Sequence, residues 1–208
     1  MKELQVTQFI EQLASKAPTP GGGAAAAVSA GLGIGAILMA MEFSVTKKMS
    51  AEDRQVLQDR IQAFHTSKDK FIAMIDRDAT EFEPLAQAYR MPKDDASQIE
   101  ARQQAIQEGL VTASAVPMDL IEEVGKILQN FDAILPFIKK TIVSDIGVGL
   151  QQLRAALQAS ALNLYINAGQ LSDPDLQTSY RHLASDQVDN FIEHIDQYFD
   201  QVKAQLIK

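Results

Sequence analysis

Residues 17–41 read APTPGGGAAAAVSAGLGIGAILMAM, twenty-five consecutive positions without a charged side chain. The stretch is long enough to cross a bilayer, but its composition points elsewhere. Alanines and glycines contribute little transfer energy, no aromatic belt flanks the run, and a Pro-Gly-Gly-Gly corner opens it. A secretory leader would set its apolar core directly behind a basic start, whereas here an ordinary amphipathic stretch, Leu4 to Leu13, comes first. What remains is a central helix buried inside a bundle. Its small residues, the Gly31/Gly35 pair among them, let neighbouring helices approach closely.

Outward from that helix, breakers are sparse. Of seven prolines, Pro18 and Pro20 precede it, and Pro92, Pro117, Pro136 and Pro174 fall at plausible junctions. The expected helices run from about Leu4 to Ser15, Gly22 to Lys47, Ala51 to Tyr89, Ala96 to Asn130, Leu135 to Ile142, Asp145 to Gly169 and Pro174 to Ile207. Pro84 and Pro117 should kink or divide the two helices that contain them. Ser172-Asp173-Pro174 supplies a cap followed by a first-turn proline. No β-alternation competes, nothing repeats at solenoid periods, and no low-complexity linker separates the halves. The expectation is one all-α domain over residues 1–208, a bundle of long helices with the Ala/Gly-rich helix at its centre.

Charge and composition narrow the function classes. Nineteen basic against 27 acidic residues give a net charge of −8, which attracts neither nucleic acid nor anionic membrane, and no local basic patch offsets it. The absence of cysteine excludes disulfides, thiol catalysis and thiolate-zinc sites, and fits a reducing, cytoplasmic setting. His65, His182 and His194 share no ligand spacing, so no metal is expected.

The third helix carries the most informative irregularity. Stepping by fours and threes from Leu57 gives Ile61, Phe64, Lys68, Phe71, Ile75, Asp78, Phe82, Leu85 and Tyr89, an apolar seam interrupted only by Lys68 and Asp78. Those two lie about 15 Å apart along the helix and cannot pair with each other. A carboxylate on a packing face must be paired, hydrogen-bonded or facing a cavity, and its pKa tends to rise there. That profile suits a general acid or base, and it equally suits a structural ion pair. Lys68 is a snorkelling side chain at the seam margin.

Three further features invite a ligand. Gly21, Gly22 and Gly23, just ahead of the central helix, permit positive backbone dihedrals and close approach to main-chain amides. The helix start behind them adds free N–H groups and the positive end of a dipole, although the glycines also read as a plain connector. No Gly-Lys-Ser/Thr follows, so this is not a P-loop. Ser144-Asp145 sits at a helix start, where capping is the ordinary role. Asn163 and Asn167 lie one turn apart in an apolar run and could bond either a heterocycle's edge or neighbouring backbone.

Taken together, Pro18-Thr19-Pro20-Gly21-Gly22-Gly23-Ala24-Ala25, Lys47-Lys48, Asp78-Ala79-Thr80-Glu81-Phe82, Ala115-Val116-Pro117, Ser144-Asp145 and Asn163-Leu164-Tyr165-Ile166-Asn167 resemble the C-terminal domain family of formiminotransferase-cyclodeaminase, in order and in spacing. Phe137-Ile138-Lys139-Lys140-Thr141 stands where that family often shows a Gly-Asn pair. The resemblance implies an all-helical homodimer acting on a tetrahydrofolate derivative as substrate. The expected reaction is closure of 5-formiminotetrahydrofolate to 5,10-methenyltetrahydrofolate with loss of ammonia. Alternatives are hydrolysis of the methenyl bridge to 10-formyltetrahydrofolate, or a non-catalytic folate-binding or scaffold dimer. Asp78 matches the family's proposed catalytic aspartate. By the same resemblance, Gly21, Gly22 and Gly23 would approach the pterin or its p-aminobenzoyl linker. Ser144, Asp145, Asn163 and Asn167 would add binding groups, and Lys47 and Lys48 would meet the carboxylates of the glutamate tail.

Overall fold

The computed structural model describes residues 1–207. It holds α1 (Val6–Leu13), α2 (Gly22–Ser44), α3 (Ala51–Arg90), α4 (Ala96–Ala113), α5 (Ala115–Leu128), α6 (Val143–Ala168), α7 (Pro174–His182) and α8 (Val188–Leu206), with no strand among the described residues. The helices start where side chains can take up orphan backbone donors. Ser50 accepts from the Asp53 N–H, Asp95 from the Gln98 N–H, and Asp173 from those of Asp175 and Leu176, with Pro174 in the first turn of α7.

The prolines act more locally than their sequence positions suggest. α3 continues unbroken through the exposed Pro84 to Arg90. The expected helix over Ala96–Asn130 divides at Ser114, which leaves Pro117 in the first turn of α5, where its missing N–H has no helical acceptor to lose. Leu135–Ile142 yields only a 3₁₀ turn at Leu135–Phe137, because Pro136 opens it and Ile138 is already extended. The last helix is interrupted by a π-helical turn, Leu183–Gln187, between α7 and α8.

α2 is the centre of the bundle, packed between α3 and α6. By length and hydropathy it could span a membrane, but just over half of its apolar window is buried against these neighbours. The contact with α6 is backbone-close. A Cβ on Gly33 would lie 2.9 Å from the Gly149 carbonyl oxygen, and one on Gly149 would lie 2.5 Å from the Ile37 side chain. Both glycines therefore serve helix approach rather than flexibility. Gly22 faces Asn163 and Gly33 faces Gln152, so the two helices run antiparallel and the start of α2 lies beside the end of α6. The third side of α2 stays open: Leu32 and Phe43 are 59% and 64% exposed.

Candidate active site

At the start of α2 the backbone meets α3. The Ala24 N–H donates to Asp78 Oδ2 at 2.9 Å, and a Cβ on Gly23 would fall 1.9 Å from Asp78 Oδ1. Gly23 is thus the residue that admits the carboxylate against the helix end. No glycine has a positive φ, so what the triple glycine provides is clearance rather than unusual dihedrals.

Asp78 lines a cavity of about 210 Å³ together with Pro18, Thr19, Gly21, Gly22, Gly23, Phe82, Ala113, Pro117, Asn163, Ile166 and Asn167. Six of the residues singled out from sequence, namely Gly21, Gly22, Gly23, Asp78, Asn163 and Asn167, therefore meet in one place. Larger depressions occur, including one of about 660 Å³ along α5 and α8, but this cavity pairs a half-buried, cation-free carboxylate with open backbone donors.

The polar groups of the cavity have defined senses. Asn163 Nδ2 donates to the Ala159 carbonyl oxygen, leaving Oδ1 toward Gly22. Asn167 Nδ2 donates to the buried Ser114 hydroxyl, which in turn donates to the Leu110 carbonyl oxygen, so the Asn167 amide oxygen also stays available. The first backbone bond of α2 runs from the Ala25 N–H to Gly21, and the Gly22 and Gly23 N–H groups precede it, where the helix offers them no acceptor. The cavity thus presents amide oxygens to N–H groups of a ligand, and helix-end N–H groups to its oxygens or lone pairs.

The electrostatics of Asp78 differ from those of the other buried acid on α3's packing face. Burial pushes the Asp78 carboxyl above its ordinary value of 3.8; the Ala24 N–H pulls it back in part, and the charge of Glu81 one turn on pushes it up further. Glu123, only 5% exposed, is also penalised by burial, but Lys70 Nζ and Ser67 Oγ each donate to it at 2.8 Å and hold its pKa below normal. Glu123 is a tied structural ion. Among the described residues no cation lies within reach of the Asp78 oxygens, which is the state of a group that exchanges protons.

The remaining sequence-marked residues lie elsewhere in the chain. Lys47 and Lys48 are exposed beyond the far end of α2, about 33 Å of helix from Gly22. Ser144 borders a separate cleft with Val148 and Phe199, and its hydroxyl reaches the neighbouring Asp145 carboxylate at 3.4 Å. Four contributors were not singled out as site residues by the sequence reading. Glu81 is held by Arg77, which also pairs with Asp119. Ser114 anchors Asn167, and Ala113 and Ile166 form apolar wall. Glu81 carried a signal, lying one turn from Asp78 on the same face; Ala113 and Ser114 carried none.

Known proteins resemble this chain along most of its length. A family model described as formiminotransferase-cyclodeaminase matches residues 5–186. The methenyltetrahydrofolate cyclohydrolase of Methylorubrum extorquens is 32% identical over 168 residues, covering 81% of each chain. The formimidoyltransferase-cyclodeaminase of Gallus gallus is 28% identical over 82% of this chain, which spans 31% of that longer protein. The crystal structure of formiminotetrahydrofolate cyclodeaminase from Thermotoga maritima superposes with a TM-score of 0.80 at 21% identity, covering 97% of this chain and 98% of that one, and so shares the fold.

Proposed function

The chain belongs to the formiminotransferase-cyclodeaminase family, and on that premise we propose that it is an enzyme of folate one-carbon chemistry acting at the carbon between N5 and N10. The observation that carries this reading is the cation-free Asp78 carboxylate, raised in pKa by burial and set at a helix start inside a cavity of hydrogen-bonding groups. Hydrolysis of 5,10-methenyltetrahydrofolate is the first assignment, supported by the relative of similar length. Ring closure of 5-formiminotetrahydrofolate is the second, supported by the animal relatives.

In hydrolysis, water adds to the methenyl carbon and ionised Asp78 takes its proton, giving a tetrahedral carbon bonded to N5, N10 and oxygen. The N5–carbon bond then breaks, N5 is protonated and the formyl group stays on N10. One proton is released overall. In ring closure, N10 adds to the formimino carbon and its N–H proton passes to the formimino nitrogen, giving a tetrahedral carbon bearing an amino group; protonated Asp78 then delivers a second proton to that nitrogen, the carbon–nitrogen bond breaks, and ammonia leaves with the methenyl bridge formed. The same carboxyl serves both directions of transfer, and a pKa displaced toward neutrality suits either. The Asn163 and Asn167 oxygens would receive the pterin's N–H groups, while Phe82 and Pro117 offer apolar surface to its ring.

The test is to supply purified protein with each adduct and follow methenyl absorbance. A decline with 5,10-methenyltetrahydrofolate supports hydrolysis, and a rise with 5-formiminotetrahydrofolate supports closure. An unchanged signal with both overturns the proposal.

A further inference from the structure

Asp78 shares a stretch of α3 with a second acid and a cation, and the cation is turned away from it. Around the helix axis Glu81 lies between Arg77 and Asp78. Arg77 Nε and Nη2 both reach the same oxygen of Glu81, Oε1, at 2.9 and 2.8 Å. Arg77 Nη1 donates to Asp119 Oδ2 on α5 at 2.9 Å. The guanidinium is thus committed to a contact between α3 and α5, and its neighbour Asp78 accepts instead from the Ala24 N–H.

That grip leaves Glu81 only partly neutralised. Its Oε2 is buried with no hydrogen-bond partner among the described residues, whereas the buried Glu123 has both oxygens bonded, one by Ser67 and the other by Lys70. A carboxylate oxygen left bare away from water is costly, and its charge acts on neighbours through protein rather than through solvent. The other charges on the elements around Asp78 are engaged or distant. On α3, Asp76 is taken by the Met1 ammonium and the Lys2 N–H. On α5, Glu123 is taken by Lys70 and Lys126, and Glu122 is exposed. Glu42, the one charged residue of α2, sits at its far end, and α6 carries none after Arg154, which pairs with Asp196. The charges of α4 are Glu100, Arg102 and Glu108, and none of them lines the cavity. The uncancelled part of Glu81 therefore falls on Asp78, in keeping with the upward push it exerts there.

Resting on the folate reading above, we infer that Glu81 is a positioning residue of the reaction: Arg77, anchored to α5 through Asp119, holds it beside Asp78 by one oxygen, so that an unbalanced negative charge, and no cation, stands next to the proton-transferring carboxyl. Such a charge makes Asp78 hold a proton more firmly. In hydrolysis Asp78 then takes the proton of the attacking water more readily and still has it to give when N5 leaves the carbon; in ring closure more of it is protonated when the amino group departs. A guanidinium swung onto Asp78 would do the reverse and pair it as Glu123 is paired. Glu81 does not line the cavity, so it acts through Asp78 and touches no substrate.

Glu81→Gln keeps the side chain's shape and removes its charge. The acid limb of kcat/KM for 5,10-methenyltetrahydrofolate should move to lower pH. At a pH on that limb, the rate relative to the variant's own plateau should rise about threefold or more, because a unit charge one turn away, about 6 Å, is worth that factor even at the dielectric constant of water. KM should hold. Asp119→Asn, at a half-exposed site on α5, should move the limb the same way by loosening Arg77, and Arg77→Met should move it to higher pH by baring Glu81. Glu83→Gln, exposed on the other side of α3, should leave it in place. A limb unmoved in Glu81→Gln, whatever its melting midpoint, or moved equally by Glu83→Gln, or lowered in Arg77→Met, overturns the inference. The same order of shifts should appear without substrate, in NMR titrations of protein isotope-labelled at its aspartate carboxyl carbons, where the Asp78 signal is the one absent from Asp78→Asn. Kinetic limbs that move while the Asp78 signal does not would place the effect on another group and overturn it too. A wild-type protein inert on both folate adducts instead sinks the functional reading, while the Asp78 titration still judges the arrangement of charges.

Discussion

Asp78 is under opposing influences, and their balance decides what its removal does. The Ala24 N–H and the start of α2 favour the carboxylate, while burial and the Glu81 charge disfavour it, and the net shift is upward. A folded-state pKa above the unfolded one means that its stability contribution is full below the unfolded value and is lost as pH rises through the folded one. At neutral pH the ionised group therefore costs stability. Asp78→Asn should lower kcat by about 10²–10⁴-fold, the usual span for a proton-transfer group, while the thermal midpoint at pH 7 stays level or rises, because the amide oxygen can still accept from Ala24. A variant that loses activity and melts early would point to a structural aspartate. The acid limb of kcat/KM for wild-type hydrolysis should lie above the ordinary carboxylate range and vanish in the variant. Asp78 was visible in the sequence because it broke an apolar stripe; Gly23 was visible too, but for the wrong property, since its value is the missing Cβ and only coordinates show what that Cβ would strike.

At the scale of elements, the α2–α6 contact and the α3–α5 tie hold the two walls of the cavity. Gly149→Ala would drive a methyl to 2.5 Å from Ile37 and 2.6 Å from the Gly33 carbonyl oxygen. Overpacking of this kind costs about 1–3 kcal/mol; the melting midpoint should fall, and activity with it, as Asn163 shifts relative to Gly22. Glu123 ties α5 to α3 through Ser67 and Lys70. Its depressed pKa means that the stabilisation is present above its unfolded value near 4.5 and is lost as pH falls through the folded value. Glu123→Gln should therefore flatten the acid side of the stability profile below pH 4.5, read from melting midpoints, relative to wild type. Helix existence was legible from periodicity, but helix continuity was not. Pro84 fails to break α3 because its ring faces solvent on a helix anchored on both sides by Leu57–Ile75 and Leu85–Ala88. The π turn at Leu183–Gln187 has no propensity signature; it lies between two helices, α7 and α8, that both pack on α6.

For the molecule as a whole, sequence order hid distance. Lys47, Lys48, Ser144 and Asp145 sit in the same motif series as Asp78 and Asn163, yet antiparallel packing sends them to the far end of a helix pair about 33 Å long. A one-dimensional pattern records which residues recur together without recording how far apart the fold sets them. The open α2 face gives this a measurable consequence. Leu32 is 59% exposed and lies one residue from the centre of α2, so Leu32→Glu leaves the chain's own packing intact, and in the homodimer that the family resemblance implies, with this open face at its contact, it would set two carboxylates against each other. Like charges desolvated together at a closed seam are strongly unfavourable. The variant should therefore sediment as a monomer with wild-type helix content by circular dichroism, and it should lose turnover even though Asp78, Gly23 and Asn163 are unaltered within it. Because activity would depend on association rather than on the altered side chain, Leu32→Lys should fail in the same way, whereas an equal mixture of the Glu and Lys variants should regain both the dimer and the rate. A Leu32→Glu monomer with full activity would show that one chain suffices, and would remove the second copy from the chemistry altogether.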